Sequence, residues 1–407
     1  MPLAVYILGF GIFTQGTSEF MLSGLLPALA DDLGVSIPGA GLLISAFAIG
    51  MVVGAPLLTV ATLNWPRRTA LVALQGVFVA AHVVGALAPG YGVLFATRVV
   101  GALAYAGFWG VAVTTAVALV PAEARSKAVA VVGGGLTLAT IVGVPAGTVL
   151  SQFSGWRAAF WAVAAATVVS LLCTLVAVPA GSAGERPRSV RAELRGMARP
   201  QLWLSYAVTA FTFGAVIVTF SYLASVLTDV SGLPEGWVPA VLALFGAGGL
   251  IGLVIGGRTA ATHPLATLAW GLGALVVVSA LLALTARHLA VAVPLVFLLG
   301  VAGYVTNPAL QSRVFPLAPD APTLAGATNT SAFNVGNTLA PMLGGLAIDA
   351  GLGFASVAWV GAALGAAGCA AVLWAGRLQR AGQAAVTGRT AVREVPEPRP
   401  APAGRGL

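Results

Sequence analysis

The sequence has 407 residues, of which 58% are hydrophobic and 8% are charged, and its formal net charge is +8. Soluble domains carry roughly 25% charged residues, so this composition excludes an ordinary soluble protein and predicts an integral membrane protein. The basic residues stand in short loops and in the last part of the chain. They do not form a patch interleaved with aromatic residues, which argues against nucleic-acid binding.

Twelve apolar segments of membrane-spanning length follow one another along the chain. They are continuous rather than alternating, so they predict helices and not barrel strands, and hence an all-α membrane protein. The segments lie at roughly 4–30, 40–63, 69–88, 91–120, 126–150, 157–179, 202–228, 237–257, 264–286, 288–315, 323–349 and 353–376. The predicted units are a six-helix bundle over 1–179, a linker over 180–201, a six-helix bundle over 202–376 and a disordered tail over 377–407.

The loops alternate in charge along the chain. One set carries basic residues such as Arg67, Lys127 and Arg258, whereas the other carries mainly acids such as Asp31 and Glu235. Basic loops stay on the cytoplasmic side of a membrane. We therefore expect both termini and the 180–201 loop to be cytoplasmic.

Glu19 lies inside the first apolar segment, within QGTSEFMLSGLLP. A charged residue at the centre of a membrane helix costs about 2.5–3.5 kcal/mol on insertion scales and usually faces a bundle interior. Gln15, Thr17 and Ser18 add polar atoms to the same helix. We interpret Glu19 as a protonatable site in a transport pathway. The alternative is a carboxyl that only holds helices together, either neutral or paired with Arg98.

Arg98 is the one basic residue well inside a predicted segment, the fourth. Its guanidinium stays protonated, so a buried position requires a carboxylate, carbonyl groups or water as acceptors. The hypothesis is that Arg98 acts together with Glu19. The alternative is that Arg98 lies nearer the outer end of the helix and extends to the membrane surface.

The fifth segment contains GGGLTLATIVGVPAG, in which small residues recur every four positions. Gly135, Gly143 and Gly147 then share one smooth face, and Pro145 frees a backbone carbonyl and can bend the helix. This face predicts either a conformational motif or ordinary close packing of helices.

Aromatic and polar side chains in several segments could line a substrate cavity. In FNVGNTLAPMLGG of the eleventh segment, Asn334 and Asn337 share a face by their spacing. Interhelical hydrogen bonding and contact with lipid are the alternatives. His82 is predicted to be a satisfied polar residue rather than part of a proton relay. The candidate cavity residues are Gln15, Thr17, Ser18, Phe20, Tyr105, Trp109, Phe211, Tyr222, Asn334 and Asn337.

A shift of 198 residues superposes residues of the first half on residues of the second, among them Asp31 on Asp229 and Gly54 on Gly252. A parallel six-plus-six repeat is the layout of the major facilitator superfamily, whose two halves are related by a pseudo-two-fold axis.

The first half resembles this superfamily in detail. The stretches SAFAIGMVVGAPL, RVVGALAYAGF, GVPAG and GWRAAFW, together with the Glu19 stretch, are similar to those of twelve-span drug:proton antiporters, and most of all to actinobacterial chloramphenicol exporters. The resemblance implies a role for Arg98 in proton coupling. Gly54, Arg67 and Arg68 match the family's signature in the second loop, although Leu63 and Pro66 replace its usual Asp and Gly.

The resemblance implies proton-coupled efflux of chloramphenicol or related phenicols across the bacterial cytoplasmic (inner) membrane, by alternating access, and antibiotic resistance as a result. It implies no enzyme activity and no cofactor, since the proton gradient drives transport. The expected partners are a small-molecule drug, protons and membrane lipid, and the expected state is a monomer. An exporter of sugars or other small drugs is the alternative, and a passive facilitator is a further one. A membrane sensor would need a signalling domain, which neither the 180–201 loop nor the tail is large enough to supply.

Overall fold

The computed structural model describes residues 1–62, 65–121, 124–180, 197, 199–318 and 322–393. Its regular structure is helical, as the composition predicts. The helices are α1 Leu3–Leu33, α2 Ile37–Thr62, α3 Arg67–Ala86, α4 Tyr91–Ala118, α5 Arg125–Leu138, α6 Val144–Ser154, α7 Trp156–Ala177, α8 Pro200–Ser221, α9 Val238–Thr262, α10 Pro264–Thr285, α11 Leu289–Tyr304, α12 Asn307–Leu317, α13 Pro322–Ala347 and α14 Ser356–Arg393.

Ten stretches in the described part of the chain are long and apolar enough to cross a membrane. They comprise α2, α3, α4, α7, α8, α9, α10 and α14, together with the paired helices α5–α6 and α11–α12. The two further long helices, α1 and α13, carry buried polar side chains that include Glu19 and Asn337. The chain is therefore a multi-pass membrane protein, and twelve spans remain a prediction.

Two of the predicted segments are divided beside a proline, and a third, 202–228, is divided without one at Tyr222, after which a short helix, Leu223–Ser225, follows. A π turn, Ala139–Gly143, separates α5 from α6 just before Pro145. The helix is interrupted again at Val305 and Thr306, ahead of Pro308 in the first turn of α12, although both residues keep helical φ and ψ angles. Proline lacks an N–H group and its ring clashes with the carbonyl four residues earlier, so a helix must widen or break there. The sequence analysis predicted that Pro145 can bend its helix, and the structure has a π turn just before it; the interruption before Pro308 was not predicted.

The structure describes only parts of the predicted linker and the predicted tail. Most of the predicted linker at 180–201 lies outside the described residues, and α8 begins at Pro200. α14 continues beyond residue 377 to Arg393, whereas the sequence predicted disorder from 377. This stretch is rich in Ala, Arg and Gln, which favour helix. Residues 394–407 lie outside the described residues.

Glycine faces set the closest helix contacts. Gly50 and Gly54 of α2 lie against the backbone of α4, and Gly248 and Gly252 of α9 lie against the backbone of α11. Side chains at these positions would hold the helices apart, so the close approach requires glycine. These two small-residue faces, on α2 and α9, are therefore packing faces.

Helices α1–α7 form an N-terminal group, in which α1 contacts α2, α4, α5, α6 and α7, and α8–α14 form a C-terminal group. We call the end of the bundle that holds Asp32 and Glu235 the acidic end, and the end that holds Arg67 and Arg125 the basic end. At the acidic end, Gly34 ends α1 at a φ of 63° and Gly155 joins α6 to α7 at a φ of 76°. Positive φ favours glycine, so these turns depend on that residue type.

The two groups contact each other through α2 with α13 and through α6 with α9. The Ser45 hydroxyl donates to the Thr338 carbonyl at 2.8 Å, and the Gln152 amide donates to the Glu235 carbonyl at 2.6 Å. Both hydrogen bonds lie towards the acidic end of the helices that make them. The acidic end of the bundle is therefore closed by direct contacts between the groups.

Candidate functional site

Glu19 lies in the middle of α1 and its side chain is 6% exposed. The Asn337 amide on α13 donates a hydrogen bond to the Glu19 carboxylate, with 3.2 Å between Nδ2 and Oε1. Among the described residues, no cation lies within ion-pair distance of this carboxylate. Glu19 therefore links the N-terminal group to the C-terminal group through a neutral amide.

Arg98 lies on α4 beside the same turn of α1 and is 2% exposed. Its Nη1 atom donates to the Ser18 carbonyl at 3.0 Å and to the Ser18 hydroxyl at 2.7 Å. Its Nε atom donates to the Leu43 carbonyl at 3.4 Å, and the guanidinium lies 4.1 Å from the Phe47 ring centroid. Backbone, hydroxyl and ring contacts thus hold the cation inside the bundle. The alternative in which Arg98 extends to the membrane surface is wrong.

The Arg98 contacts continue into α3 through His82. The Ser18 hydroxyl lies 2.6 Å from His82 Nε2, and His82 Nδ1 lies 2.9 Å from the Phe78 carbonyl. A carbonyl only accepts, so Nδ1 carries the proton and Nε2 accepts from Ser18. The resulting chain runs from Arg98 through Ser18 and His82 to Phe78. The sequence analysis was right that His82 is a satisfied polar residue, but missed its link to Arg98.

Several buried polar atoms around Glu19 and Arg98 have no hydrogen-bond partner in the described part of the chain. They are Gln15 Oε1, Arg98 Nη2, Tyr105 Oη and Asn337 Oδ1. A buried polar atom without a partner costs about 1–3 kcal/mol, so such atoms are suited to binding water or a polar ligand. The cluster therefore offers two free donors, on Arg98 and Tyr105, and two free acceptors, on Gln15 and Asn337.

Aromatic rings flank this polar cluster on two sides. In the N-terminal group, Tyr105 is fully buried and its ring centroid lies 6.1 Å from those of Phe47 and Trp109. Towards the C-terminal group, Phe20 of α1 meets Phe220 of α8 edge to face at 6.4 Å. The series continues with Phe220 stacked on Phe245 at 4.6 Å and with Phe245 edge to face with Tyr304 at 6.1 Å.

The structure brings together Ser18, Glu19, Arg98 and Asn337 by direct hydrogen bonds or by neighbouring positions on α1. Other predicted cavity residues lie apart from these contacts. Phe211 is 37% exposed and lies against Gly368 of α14. Tyr222 donates to the Pro341 carbonyl at 2.7 Å. Two others bond within their own helices, Thr17 to the Phe13 carbonyl and Asn334 to the Thr330 carbonyl.

The predicted conformational residues take two kinds of position. Gly135 lies against the backbone of Gly9, and Gly143 lies against the Thr17 side chain, so both face α1. Gly147 follows on the same side, beside Met21, and Pro145 lies between them in the first turn of α6. The second kind lies on α2 and α3: Gly54 packs on α4, and Arg67 and Arg68 open α3 and are partly exposed.

A metal site would require several possible ligand side chains close together. In the ranges that the structure describes, no three His, Cys, Asp or Glu side chains lie close enough to hold a metal ion. Cys173 and Cys369 are free thiols. The arrangement instead offers one buried carboxyl that can take up or release a proton, beside a fixed cation and a wall of rings.

Comparisons with known proteins bear on the family and the fold of the chain. Residues 8–331 match the family model of the Major Facilitator Superfamily. The chain is 42% identical over 348 residues to a protein named "Chloramphenicol resistance protein" from Streptomyces lividans, covering 84% of this chain and 88% of that one. It is 38% identical over 355 residues to "Inner membrane transport protein YdhP" from Escherichia coli (strain K12), covering 87% and 91%.

Solved structures show the same fold. A bacterial homologue of the human lysosomal transporter Spinster, in an inward-facing and unoccupied conformation, superposes with a TM-score of 0.75 at 17% identity. The match covers 92% of this chain and 96% of that one. Family, relatives and fold agree on a multi-pass membrane transporter rather than an enzyme, and the chain belongs to the major facilitator superfamily.

Proposed function

We propose that this transporter exports chloramphenicol or a related phenicol across the bacterial cytoplasmic membrane, in exchange for protons carried by Glu19. The contact that carries the proposal is the hydrogen bond between Asn337 and Glu19. It places a titratable side chain at the junction of the two helix groups. A carboxyl at such a junction can make the equilibrium between two conformations depend on its protonation.

The protonation state of Glu19 changes what Asn337 can bind. A carboxylate accepts one hydrogen bond from Asn337 Nδ2, whereas a protonated carboxyl can also donate to Asn337 Oδ1, which has no partner among the described residues. Protonation would then add a second hydrogen bond between α1 and α13. It would also remove a buried negative charge. Both effects favour the conformation in which these helices meet.

The orientation of the chain in the membrane determines which side the closed end of this conformation faces. By the positive-inside rule the basic end faces the cytoplasm, so the closed acidic end would face outwards. In this conformation the carrier would be shut to the outside. Protonation of Glu19 from outside would return the empty carrier to this state, and a drug arriving from the cytoplasm would displace the proton. Rocking of the two groups about Glu19 would complete the cycle.

The aromatic rings beside Glu19 support a ring-bearing substrate. Phe20, Phe220 and Phe245 offer faces and edges on which an aryl group can pack. The free donors on Arg98 and Tyr105 can bind nitro, carbonyl or hydroxyl oxygens. A neutral drug with one aromatic ring and several oxygens fits this combination. The named relative from Streptomyces lividans supports the same substrate class.

The experiment is accumulation of labelled chloramphenicol in cells that express the parent chain, Glu19→Gln or Asp32→Asn, with and without a proton uncoupler. Asp32→Asn is the matched control, because it also removes one carboxylate from α1 but at the exposed acidic end. We expect low accumulation with the parent and the control, and high accumulation with Glu19→Gln or with uncoupler. If expression of the parent chain leaves chloramphenicol accumulation unchanged, the proposed substrate is wrong. If accumulation stays low with Glu19→Gln, the proposed role of Glu19 in proton coupling is wrong.

A further inference from the structure

A cavity of about 740 Å³ lies at the basic end of the C-terminal group, remote from Glu19. It is bounded by the end of α9, the start of α10, the end of α12 and the last apolar turns of α14. Alanine, leucine, valine and proline side chains make up most of its wall. Such a wall is suited to a hydrocarbon chain.

Arg313 on α12 is the one charged residue among those that line this cavity. Its Nη1 atom is buried and has no hydrogen-bond partner in the described part of the chain. No acidic side chain is among the lining residues. A guanidinium nitrogen that is buried without an acceptor is costly, and a phosphate oxygen is the acceptor whose geometry suits it best. The cavity thus combines one unpaired cation with an apolar wall.

The start of α10 adds donors to the same cavity. Leu265 and Ala266 lie in its first turn and line the cavity, and first-turn N–H groups have no partner within their own helix. Ser312, His263 and Gln379 supply the other polar side chains of the lining. Helix N-termini attract anions, so the free N–H groups of α10 favour a negatively charged ligand, as Arg313 does.

The outer side of the cavity faces the region where lipid would lie. Leu373, which lines the cavity, is 61% exposed, and the next residue, Trp374, is 62% exposed. Large apolar side chains with such exposure on a membrane helix contact lipid, and Trp favours the level of the headgroups. A phospholipid could therefore enter sideways, with its headgroup at the basic end.

We propose that this cavity binds an anionic phospholipid from the cytoplasmic leaflet, with its phosphate on Arg313 and one acyl chain along the apolar wall. Basic pockets between membrane helices on the cytoplasmic side bind anionic headgroups in this manner. The site lies between α9, α10, α12 and α14, so the bound lipid contacts four helices of the C-terminal group. It is separate from the drug and proton site and does not depend on the proposed substrate.

Native mass spectrometry of the purified full chain in detergent tests the proposal, with phosphatidylglycerol, phosphatidylcholine or inorganic phosphate added. The variants are Arg313→Gln, Arg313→Lys and the matched control Arg125→Gln, which removes an exposed cation from the basic end of the N-terminal group. Ala269→Phe fills the apolar part of the cavity without changing its charge. Gel filtration shows which variants remain folded and monodisperse.

We expect the parent and Arg125→Gln to retain phosphatidylglycerol over phosphatidylcholine by roughly fivefold, the effect of one well-placed cation. Arg313→Gln should abolish this preference, Arg313→Lys should keep part of it, and Ala269→Phe should reduce retention of both lipids. The proposal is overturned if Arg313→Gln keeps the full preference or if Arg125→Gln loses as much. Displacement of the lipid by millimolar inorganic phosphate would overturn it too, because the site would then select a free anion.

Discussion

Glu19 and Arg98 are buried beside the same turn of α1 without forming an ion pair. Arg98 binds the carbonyl and hydroxyl of Ser18, the residue next to Glu19, whereas Glu19 accepts from Asn337 on the other helix group. The cation is therefore held by groups that do not titrate near neutral pH. Proton uptake by Glu19 can then proceed without breaking a salt bridge.

Asn337→Leu tests the hydrogen bond between the groups. The substitution removes the amide that donates to Glu19 and keeps a side chain of similar size. The two hydrogen bonds between protonated Glu19 and Asn337 together contribute about 1–3 kcal/mol, so the equilibrium should shift away from this conformation by about five- to a hundredfold. The measurement is the rate at which a thiol reagent modifies Ser151→Cys at the acidic end, in a background without Cys173 and Cys369.

We expect Asn337→Leu to speed this modification as the acidic end opens. Asn334→Leu is the matched control, because Asn334 lies one turn away on α13 and its amide bonds to the Thr330 carbonyl of its own helix. Equal rates in Asn337→Leu and in the parent would count against a gating role for the contact.

Ser18→Ala should weaken the chain of hydrogen bonds from Arg98 to His82. The substitution removes one of the two acceptors of Arg98 Nη1, and with it the donor to His82 Nε2, while the Ser18 carbonyl remains. Leaving buried groups without partners costs about 1–3 kcal/mol, so the Tm should fall. Ser23→Ala removes another buried hydroxyl of α1 and serves as the control. A Ser18→Ala protein as stable as this control would show that the chain of hydrogen bonds contributes nothing to stability.

Gly135→Ala should disrupt the contact between α5 and α1. A methyl group at residue 135 would overlap the backbone carbonyl of Gly9, which cannot move aside as a side chain can. Gly134 is the matched control, since nothing lies within 4 Å of a methyl group built there. We expect Gly135→Ala to lower both the Tm and export, and Gly134→Ala to match the parent or exceed it slightly, because alanine favours helix. Similar behaviour of the two variants would refute a packing role for this face.

Asp32 at the acidic end, beyond the apolar part of α1, predicts a dependence of stability on pH. Hydrogen bonds from Trp156 and then Arg157 lower the pKa of Asp32 below its ordinary value of 3.8. A lowered pKa in the folded state stabilises the fold above the ordinary value, and this contribution disappears as pH falls through the lowered one. The effect should be small because Asp32 and Arg157 are each nearly half exposed.

The measurement is the Tm of the parent and of Asp32→Asn from pH 7 down to pH 3. We expect the parent to hold a small advantage at pH 7 that narrows below pH 3.8. A difference in Tm that stays constant across the whole range would rule out ionisation of Asp32 as its source.

Local patterns in the sequence predicted much of the fold and part of the site. Glu19 and Arg98 were identifiable because a charge inside an apolar segment is costly wherever the helix packs. The glycine faces and the bend at Pro145 were predictable from spacing and from the chemistry of proline. These features depend on residues within one helix, which is why a single sequence reveals them.

Contacts between distant helices could not be predicted. Asn337 was grouped with other residues of one face, but nothing local indicated that its amide reaches Glu19, 318 residues earlier. Phe245 and Tyr304 were missed because an aromatic residue in an apolar segment can face either lipid or the interior. Phe211 was predicted to line the cavity but is 37% exposed, and the same ambiguity explains this error. The sequence indicated only that Arg313 is one of the basic loop residues. Its place in the cavity wall depends on how α9, α10, α12 and α14 meet.

Proton release on drug binding tests the central claim most directly. Chloramphenicol is added to purified protein in weakly buffered detergent solution while the pH is recorded, and calorimetry in parallel measures binding. We predict that the parent releases protons as the drug binds, and that Glu19→Gln binds the drug without releasing them. Drug binding to the parent with no change in pH, or equal release from Glu19→Gln, would contradict the assignment of Glu19 as the proton carrier.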